Sequence, residues 1–570
     1  MSGMPTASAV DEAAPAPSLS SIEALARIRT KLIRPMPTDR LLGWLLPLAV
    51  TLLGGVPRFW RITRPGGHSL PDNLPTGKMH ALVFDETYYA HDSWTMLHHG
   101  VEADGAGTGA GFVVHPPLGK WMMAVGEAIF DHGKQINVLS GQHHMHKTIY
   151  PASALSFRFM GALLGTIAIL MVARIARRMF RSTALGVIAG VLFSLDGLEF
   201  VQSRTAMLDI YLMFWVIAAF GCLILDRDDG RRRLANRLTA PLRPDEWGPS
   251  LGVRPWRWAT AVCLGAACAT KWDGAFYIPA FLLLAIAWDL GARRTAGAHS
   301  GLLWGLLYAV GPAVAVFLAV PAVIYVASWT GWFMSNGQFA YDHDKYIHPG
   351  QSWFAHDKAV FHGWWSYQQE IWGYDKRLSM ADNPHPYLSR PWGWLFLARP
   401  VAYYYQSPNT CGASLCSQEI LGIGNPAIWW IAIPAFVGTA WTWIARKDWR
   451  GPAILLPFIF GYGLWLAADS KNRVMFLFYM LPNEPFMVLA VTLLIGLALG
   501  QRHASTLRRG IGIAGSAVYL TGVIVLFGFF YPVLSAKTMT YEQWHERMWF
   551  HHCQSGKDVD QHTENSPCWI

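Results

Sequence analysis

Two adjacent carboxylates, Asp85 and Glu86, stand in the stretch VFDETYYAHDSW (residues 83–94), flanked by Phe84, Tyr88, Tyr89 and Trp94. A carboxylate within hydrogen-bond reach can take the proton of a poor hydroxyl nucleophile as it attacks. Groups suited to an anion or a polar headgroup lie further along: His115 and Lys120 in HPPLGKWMMAVGEAIF (115–130), then Arg158, Arg204, Lys271 and Arg473, with Asp209 among them. An acidic pair in a loop is ordinarily just solvated, so its meaning depends on the elements that carry it.

Those elements are apolar. The chain has 570 residues, 52% hydrophobic and 15% charged, with 28 tryptophans. Soluble domains carry about a quarter charged residues, and Trp gathers at membrane–water boundaries. Several apolar runs approach or exceed the roughly 20 residues that cross a bilayer. The expected class is an all-α polytopic membrane protein. The net charge of +9 is no nucleic-acid signal, because the basic clusters sit at the ends of apolar runs.

Eleven spans put every basic cluster on one side of the membrane. Residues 1–20 read as disordered and lack the early apolar stretch of a signal peptide. The segment to residue 40 carries five basic residues, so the N-terminus is expected in the cytoplasm. Span 1 covers about 41–60, and an outer loop of about 61–153 holds the acidic pair. The next spans fall near 154–175, 183–200, 206–225, 257–271, 274–291 and 302–328. A second outer loop runs over about 329–423. Span 8 ends at ARKDWR, and the last three cover about 451–468, 474–499 and 510–531, leaving the tail 532–570 outside. Within the first outer loop, Leu118, Trp121, Met122, Val125 and Ile129 follow helical spacing behind Pro116 and Pro117. Two interfacial helices are expected there, with Lys120 near the headgroups.

The cysteines follow the same layout. Cys222, Cys263 and Cys268 fall in spans, whereas 411–416 and 553–568 are outer pairs that suit either disulfides or free thiols. The cluster GQHHMHK, with His143, His144 and His146, lacks a nearby supporting carboxylate and reads as a polar loop. A divalent metal is open but not favoured, and no cofactor is firmly implied.

FDETYYAHDSW followed by HPPLGKW resembles the protein O-mannosyltransferases, polytopic glycosyltransferases of the GT-C type. SFRFMGALLG (156–165), EFVQSRTAMLDIYLMFW (199–215), ATKWDGAFYIPA (269–280), HPYLSRPWGW (385–394) and RVMFLFYMLPNEPF (473–486) extend the likeness in the same order. It covers roughly residues 40–530 and leaves no room for the inserted lectin-like module of eukaryotic members. The chain thus resembles the bacterial, particularly actinobacterial, branch (glycosyltransferase family 39).

The resemblance implies inverting transfer of mannose from polyprenyl-phosphate-mannose to Ser or Thr hydroxyls of exported proteins, in a bacterial cell membrane. Partners would be that donor, secreted acceptor proteins, membrane lipids and the export machinery, with no nucleic acid. A polyprenyl phosphate leaves as a stable anion, so one base and surrounding cations can suffice. By the motif match Asp85 is the base, and Glu86 orients base or acceptor. His115, Lys120, Arg158, Arg204, Asp209, Lys271 and Arg473 are candidates for the donor's phosphate and sugar. His385, Tyr387 and Arg390 are candidates for donor or acceptor contacts. Bland readings compete: an Arg204–Asp209 salt bridge, and snorkelling of Lys271 and Lys120 to the interface. Glu484, inside the last motif, has no assigned role. Rival functions are a related GT-C transferase acting on a lipid or cell-wall acceptor and, from another class, a secondary transporter.

Overall fold

The computed structural model describes residues 19–65, 82–131, 135–140, 146–335, 339–341, 343–348, 350–379, 385–469, 473–500, 505–550 and 569. Helices occupy all eleven expected places. They are α2 (Leu42–Phe59), α5 (Ala154–Phe180), the pair α6 (Thr183–Ser194) and α7 (Gly197–Arg204), α8 (Leu208–Arg237), α9 (Pro255–Thr270), α10 (Tyr277–Ala296), α11 (Gly301–Ser328), α15 (Pro426–Arg446), α16 (Arg450–Asp469), α17 (Glu484–Leu499) and α18 (Thr506–Leu534). Among the described residues nine helices are long and apolar enough to cross a membrane, or ten if α6 and α7 form one span. The other helix, α9, has 16 residues. The chain is a multi-pass membrane protein whose helices share one large buried apolar cluster.

Helix α1 (Leu19–Leu32) turns Leu25 and Leu32 onto Leu234, Leu238 and Ala296, at the ends of α8 and α10. Arg29 donates to the Ala235 and Leu238 carbonyls there, which suits a cation at a helix C-terminus.

The bend of 63° between α6 and α7 has an identifiable cause. Asp196 accepts from the Leu198 and Glu199 amides, at 2.8 and 3.4 Å, and so starts a new helix inside the span. Backbone groups away from water must find partners within the protein. Asp196 also takes the Asn425 amide and the Trp429 indole N–H, which ties the break to α15.

Between α2 and α5 lie α3 (Glu86–His99), α4 (Leu118–Phe130) and a hairpin of β1 (Gln135–Ser140) and β2 (His146–Pro151). The two expected loop helices are therefore present. Helix α4 exposes Val125, Ile129 and Phe130, an apolar face of the kind an interfacial helix buries in lipid. Its other side lies hard against α5, where a Cβ on Gly126 would sit 2.3 Å from the Ser156 carbonyl oxygen. Helix α3 departs from the expectation, because most of it is buried in protein.

Between α11 and α15 the chain forms α12 (Thr330–Met334), α13 (His343–Tyr346), the 25-residue α14 (Trp353–Arg377), and strands β3 (Val401–Gln406) and β4 (Cys416–Gly422). Strand β5 (Met539–Thr540) completes an antiparallel sheet of order β3-β4-β5 and leads into α19 (Tyr541–His545). The strands carry no apolar run that distinguishes them in sequence. Cys411 and Cys416 form a disulfide with Cα atoms 5.8 Å apart. Cys553, Cys568, His143 and His144 lie outside the described residues, as does the side chain of His146.

Candidate active site

Asp85 is the residue before α3, yet its carboxylate makes no capping bond to that helix. Its direction is set by Phe84, whose φ of 50° lies in the left-handed region. That region is costly for a bulky residue and persists only where packing enforces it. Four rings do so: Phe84 meets Tyr403 at 5.1 Å, Phe478 at 5.8 Å, and His385 and Phe476 at 5.9 Å each.

Glu86, the very next residue, is wholly buried and takes a different task. Its two oxygens accept from Arg158 Nε and Nη2, both at 2.7 Å. They also accept from the amides of Val83 at 2.8 Å and Ala206 at 2.9 Å. Arg158 spends its remaining reach on the Ile62 and Arg64 carbonyls. This bidentate pair is an internal brace between α3, α5 and the turn before α8. Glu86 was expected to orient the base or the acceptor and Arg158 to meet the donor's phosphate; the structure instead places the two side chains on each other inside the protein.

Against α3, with Asp85 itself outside the lining, opens a cavity of about 380 Å³ lined by His115, Lys120, Lys271, Arg473, Asp92 and Tyr479, among others. Small-molecule sites commonly fall between about 300 and 1,000 Å³. Tyr89, one turn along α3, is also in its wall, and the Lys271 and Asp209 charges reach Asp85. The structure thus brings together Asp85, His115, Lys120, Lys271 and Arg473, with Asp209 behind Lys271.

Each cation is held by acids. Lys120 Nζ lies 2.7 Å from Glu102 and 3.1 Å from Asp92. Lys271 Nζ lies 2.9 Å from Asp209 and 3.6 Å from Asp273, with the Tyr479 ring 4.3 Å away. Arg473 lies 3.0 Å from Asp375 of α14. Lys271 is therefore buried and ion-paired, where a snorkelling lysine would keep its head in water.

Burial pushes the Asp85 carboxyl up to about 6, against the pull of Lys271 and with a push from Asp209. His115 is held well below the ordinary imidazole value by burial and by Lys271, Lys120 and Arg473, so it is neutral. For Lys120 burial opposes the charge, but Asp92 and Glu102 outweigh it and its pKa is raised. A partly ionised carboxylate, a neutral imidazole and three fixed cations suit transfer between a hydroxyl and an anionic leaving group.

Other expected residues stand apart. Arg204 donates to the carbonyls of Pro57, Arg58, Trp60 and Arg61, so it closes the C-terminal end of α2. It makes no salt bridge to Asp209, which pairs with Lys271 instead. His385 supports Phe84 from behind and accepts from the Tyr387 amide at 3.2 Å. Burial lowers the His385 pKa, and burial together with Glu419 raises that of Tyr387. Arg390 pairs with Asp469 at 3.0 Å. Among the described residues no group of three or more His, Cys, Asp or Glu side chains is placed to hold a metal ion.

Sequence reasoning missed Asp92, Glu102, Asp375 and Tyr479. Asp92 carried a readable signal, since Tyr89 and Asp92 sit three residues apart and share a helix face behind Asp85. Glu102, Asp375 and Tyr479 are brought in from separate elements and carried none.

Known proteins are similar to most of this chain. The family described as dolichyl-phosphate-mannose-protein mannosyltransferase matches residues 79–334, and that described as the C-terminal four TMM region of protein-O-mannosyltransferase matches 360–553. A Mycolicibacterium smegmatis protein named polyprenol-phosphate-mannose–protein mannosyltransferase is 35% identical over 521 residues, covering 90% of this chain and 93% of that one. A Mycobacterium tuberculosis protein of the same name is 35% identical over 523 residues, covering 90% and 92%. The fold matches the structure of the S. cerevisiae protein O-mannosyltransferase Pmt1-Pmt2 complex bound to the sugar donor, with a TM-score of 0.62, 15% identity and 95% of each chain covered. With matches to both halves of the chain and 35% identity to these relatives over more than 500 aligned residues, this protein belongs to the protein mannosyltransferase family.

Proposed function

We propose that the protein transfers mannose from polyprenyl-phosphate-mannose to Ser or Thr hydroxyls of exported proteins, with inversion at the sugar carbon. The names of its relatives support the donor and the protein acceptor. The observation that carries the chemistry is Asp85, an uncapped carboxylate with a pKa of about 6 beside a cavity holding Lys120, Lys271 and Arg473.

The acceptor oxygen attacks the anomeric carbon while its proton passes to Asp85. The new O–C bond forms as the bond from that carbon to the phosphate oxygen breaks. Lys271 and Arg473 meet the phosphate as its charge grows, and Lys120 and neutral His115 meet the sugar. A lipid phosphate is a good leaving group, so a second carboxylic acid of the kind glycosidases use is not needed. Glu86 and Arg158 act at one remove, by fixing the turn that carries Asp85.

The membrane is the bacterial plasma membrane, with the site and the tail 532–570 outside and the N-terminal segment 1–40 inside; 41–531 form the catalytic body. Helix polarity supports this. Helices α5 and α8 begin near the site, at Arg158 and Asp209, and end in the basic runs around Arg177 and Arg233. At 1.5 Å per residue the two ends of α5 stand about 40 Å apart, more than the hydrocarbon thickness. Basic residues then fall on the inner side. The acceptors would emerge on the outer side, where the site lies, as substrates of the export machinery.

Membranes containing the protein, given labelled polyprenyl-phosphate-mannose and a Thr/Pro-rich peptide, yield mannosyl-peptide. Asp85→Asn abolishes the product while leaving the protein folded. Label recovered in a lipid instead of the peptide would overturn the acceptor assignment.

A further inference from the structure

The far end of the bundle, where α5 and α8 finish, gathers more arginines than acids. Arg178 and Arg181 close α5, Arg227 and Arg231 lie on α8, Arg34 follows α1, and Arg450 opens α16. Asp228 takes three of them at once: Arg178 Nε and Arg227 Nη1 at 2.9 Å, and Arg181 Nη2 at 3.0 Å. Asp448 takes Arg450. Arg231 donates to backbone instead, to the Leu32 and Lys31 carbonyls, both at 3.2 Å. The charges are close enough to act on one another: Arg34 and Arg178 on Arg181, Arg231 and Arg181 on Arg227, and Arg34 on Arg231 and Asp448. Among the described residues of this cluster, six arginines face two aspartates, which leaves four positive charges over.

Arg227 shows the shortage most plainly. Its side chain is 9% exposed, its guanidinium lies 3.5 Å from the centre of the Trp449 ring, and its Nε is buried without a hydrogen-bond partner. A desolvated guanidinium that shares its one carboxylate with two others is short of negative charge. Basic residues that merely orient a span stand apart in water. Here they converge from four elements, and Arg178, Arg181 and Arg450 stay part-exposed at the rim. The last turns of α15 leave Trp441 and Ile444 exposed, just before the turn that carries Asp448, Trp449 and Arg450. The cluster therefore stands where a lipid-facing surface ends, the level at which headgroup phosphates lie.

We propose that this cluster is a binding site for the phosphate headgroup of an anionic phospholipid, in the leaflet away from the candidate active site. Arg178 and Arg181 of α5 and Arg450 of α16 hold the phosphate oxygens, for which the guanidinium fork is suited. Asp228 stays with Arg227. The acyl chains run along the apolar face that α15 presents beside Trp441 and Ile444. The bound lipid joins α5, α8 and the α15–α16 turn, three elements that otherwise meet here with like charges facing. The inference does not depend on the catalytic reading.

The test follows thermal unfolding of the protein in a nonionic detergent as phosphatidylglycerol is added, with phosphatidylcholine in parallel. Phosphatidylglycerol raises the melting temperature and phosphatidylcholine does not. The phosphatidylglycerol concentration that gives half of the rise increases about tenfold in Arg178→Gln/Arg181→Gln. Asp228 keeps Arg227 in that variant, so no buried acid is left alone. Arg450→Gln, on a separate helix, increases it too and serves if the double variant does not fold. Arg508→Gln/Arg509→Gln, which removes an exposed basic pair at the start of α18, leaves it unchanged. An unchanged half-point in the site variants overturns the proposal. So does an equal change in the α18 variant, which would mean diffuse attraction to surface charge. An equal rise with phosphatidylcholine overturns it as well. The same rise with glycerol phosphate, which has the anion and no acyl chains, would overturn the lipid and point to a soluble phosphate.

Discussion

Glu86 and Arg158 face each other through two hydrogen bonds of 2.7 Å, with neither side chain exposed to solvent. Breaking such a pair leaves an uncompensated buried charge, at a cost of about 3–5 kcal/mol. Glu86→Ala and Arg158→Ala should each lose most of the folded protein, read by thermal unfolding in detergent. Asp85→Asn should fold and insert normally yet lose about 10²–10⁴ in rate, the usual worth of a general base. An Asp85→Asn protein with near wild-type turnover would remove Asp85 from the mechanism.

The pKa of about 6 at Asp85 fixes a pH profile. The base works only when ionised, so kcat/KM should rise with pH through a midpoint near 6 and level off above it. The Asp209 charge raises that pKa and the Lys271 charge lowers it. Asp209→Asn should therefore move the midpoint down, and Lys271→Met should move it up. Midpoints that shift in the same direction would contradict the arrangement.

The same raised pKa makes a stability prediction of defined sign. The folded state holds the Asp85 proton more tightly than the unfolded chain, so the associated stability is complete below the unfolded value near 3.8 and is lost as pH rises through about 6. At neutral pH the ionised side chain is a local burden. Asp85→Asn should raise the melting temperature at pH 7.5, with the gain shrinking as pH falls below 6.

Two arginines expected to share one role should separate in experiment. Arg204 closes the end of α2, whereas Arg473 lines the cavity. Arg204→Gln should lower stability by about 1–3 kcal/mol through carbonyls left without donors. Arg473→Gln should raise KM for the donor and leave the melting temperature nearly where it was. Both are read from one set of purified proteins.

Glu484 has a concrete setting at the start of α17. It is wholly buried beside Asp196 and Glu199. Glu199 is already ion-paired with Arg58. Glu484→Gln removes a buried acid from a crowded acidic site and should be neutral or stabilising. Glu199→Gln, which strips Arg58 of its counter-charge, should destabilise strongly.

Much of this was legible because bilayers impose length and composition on the helices. Helix α2 fills 42–59 against an expected 41–60, and α5 starts at 154 as expected. The break in the third span was signalled by Asp196-Gly197, a turn-forming pair within an apolar run, but length alone hid it. Lys120 and Lys271 reach the cavity, whereas Arg158 and Arg204 do not. Sequence cannot separate these cases, since a buried cation looks the same whether carbonyls or a ligand will satisfy it. β5 and α14 were unreadable for a different reason: their partners lie far away in the chain, as when β4 pairs with β5.

Phe84 carries a consequence for how the protein comes to life. The rings that hold its backbone belong to residues 385–478, made hundreds of residues later than the turn they shape. A nascent chain already threaded into the bilayer, with Asp85 translated and on its proper side, has nothing to aim that carboxylate. On the proposed role of Asp85, synthesis itself would keep the enzyme silent: no sugar would be attached until the last third of the polypeptide has left the ribosome and come to rest against the first.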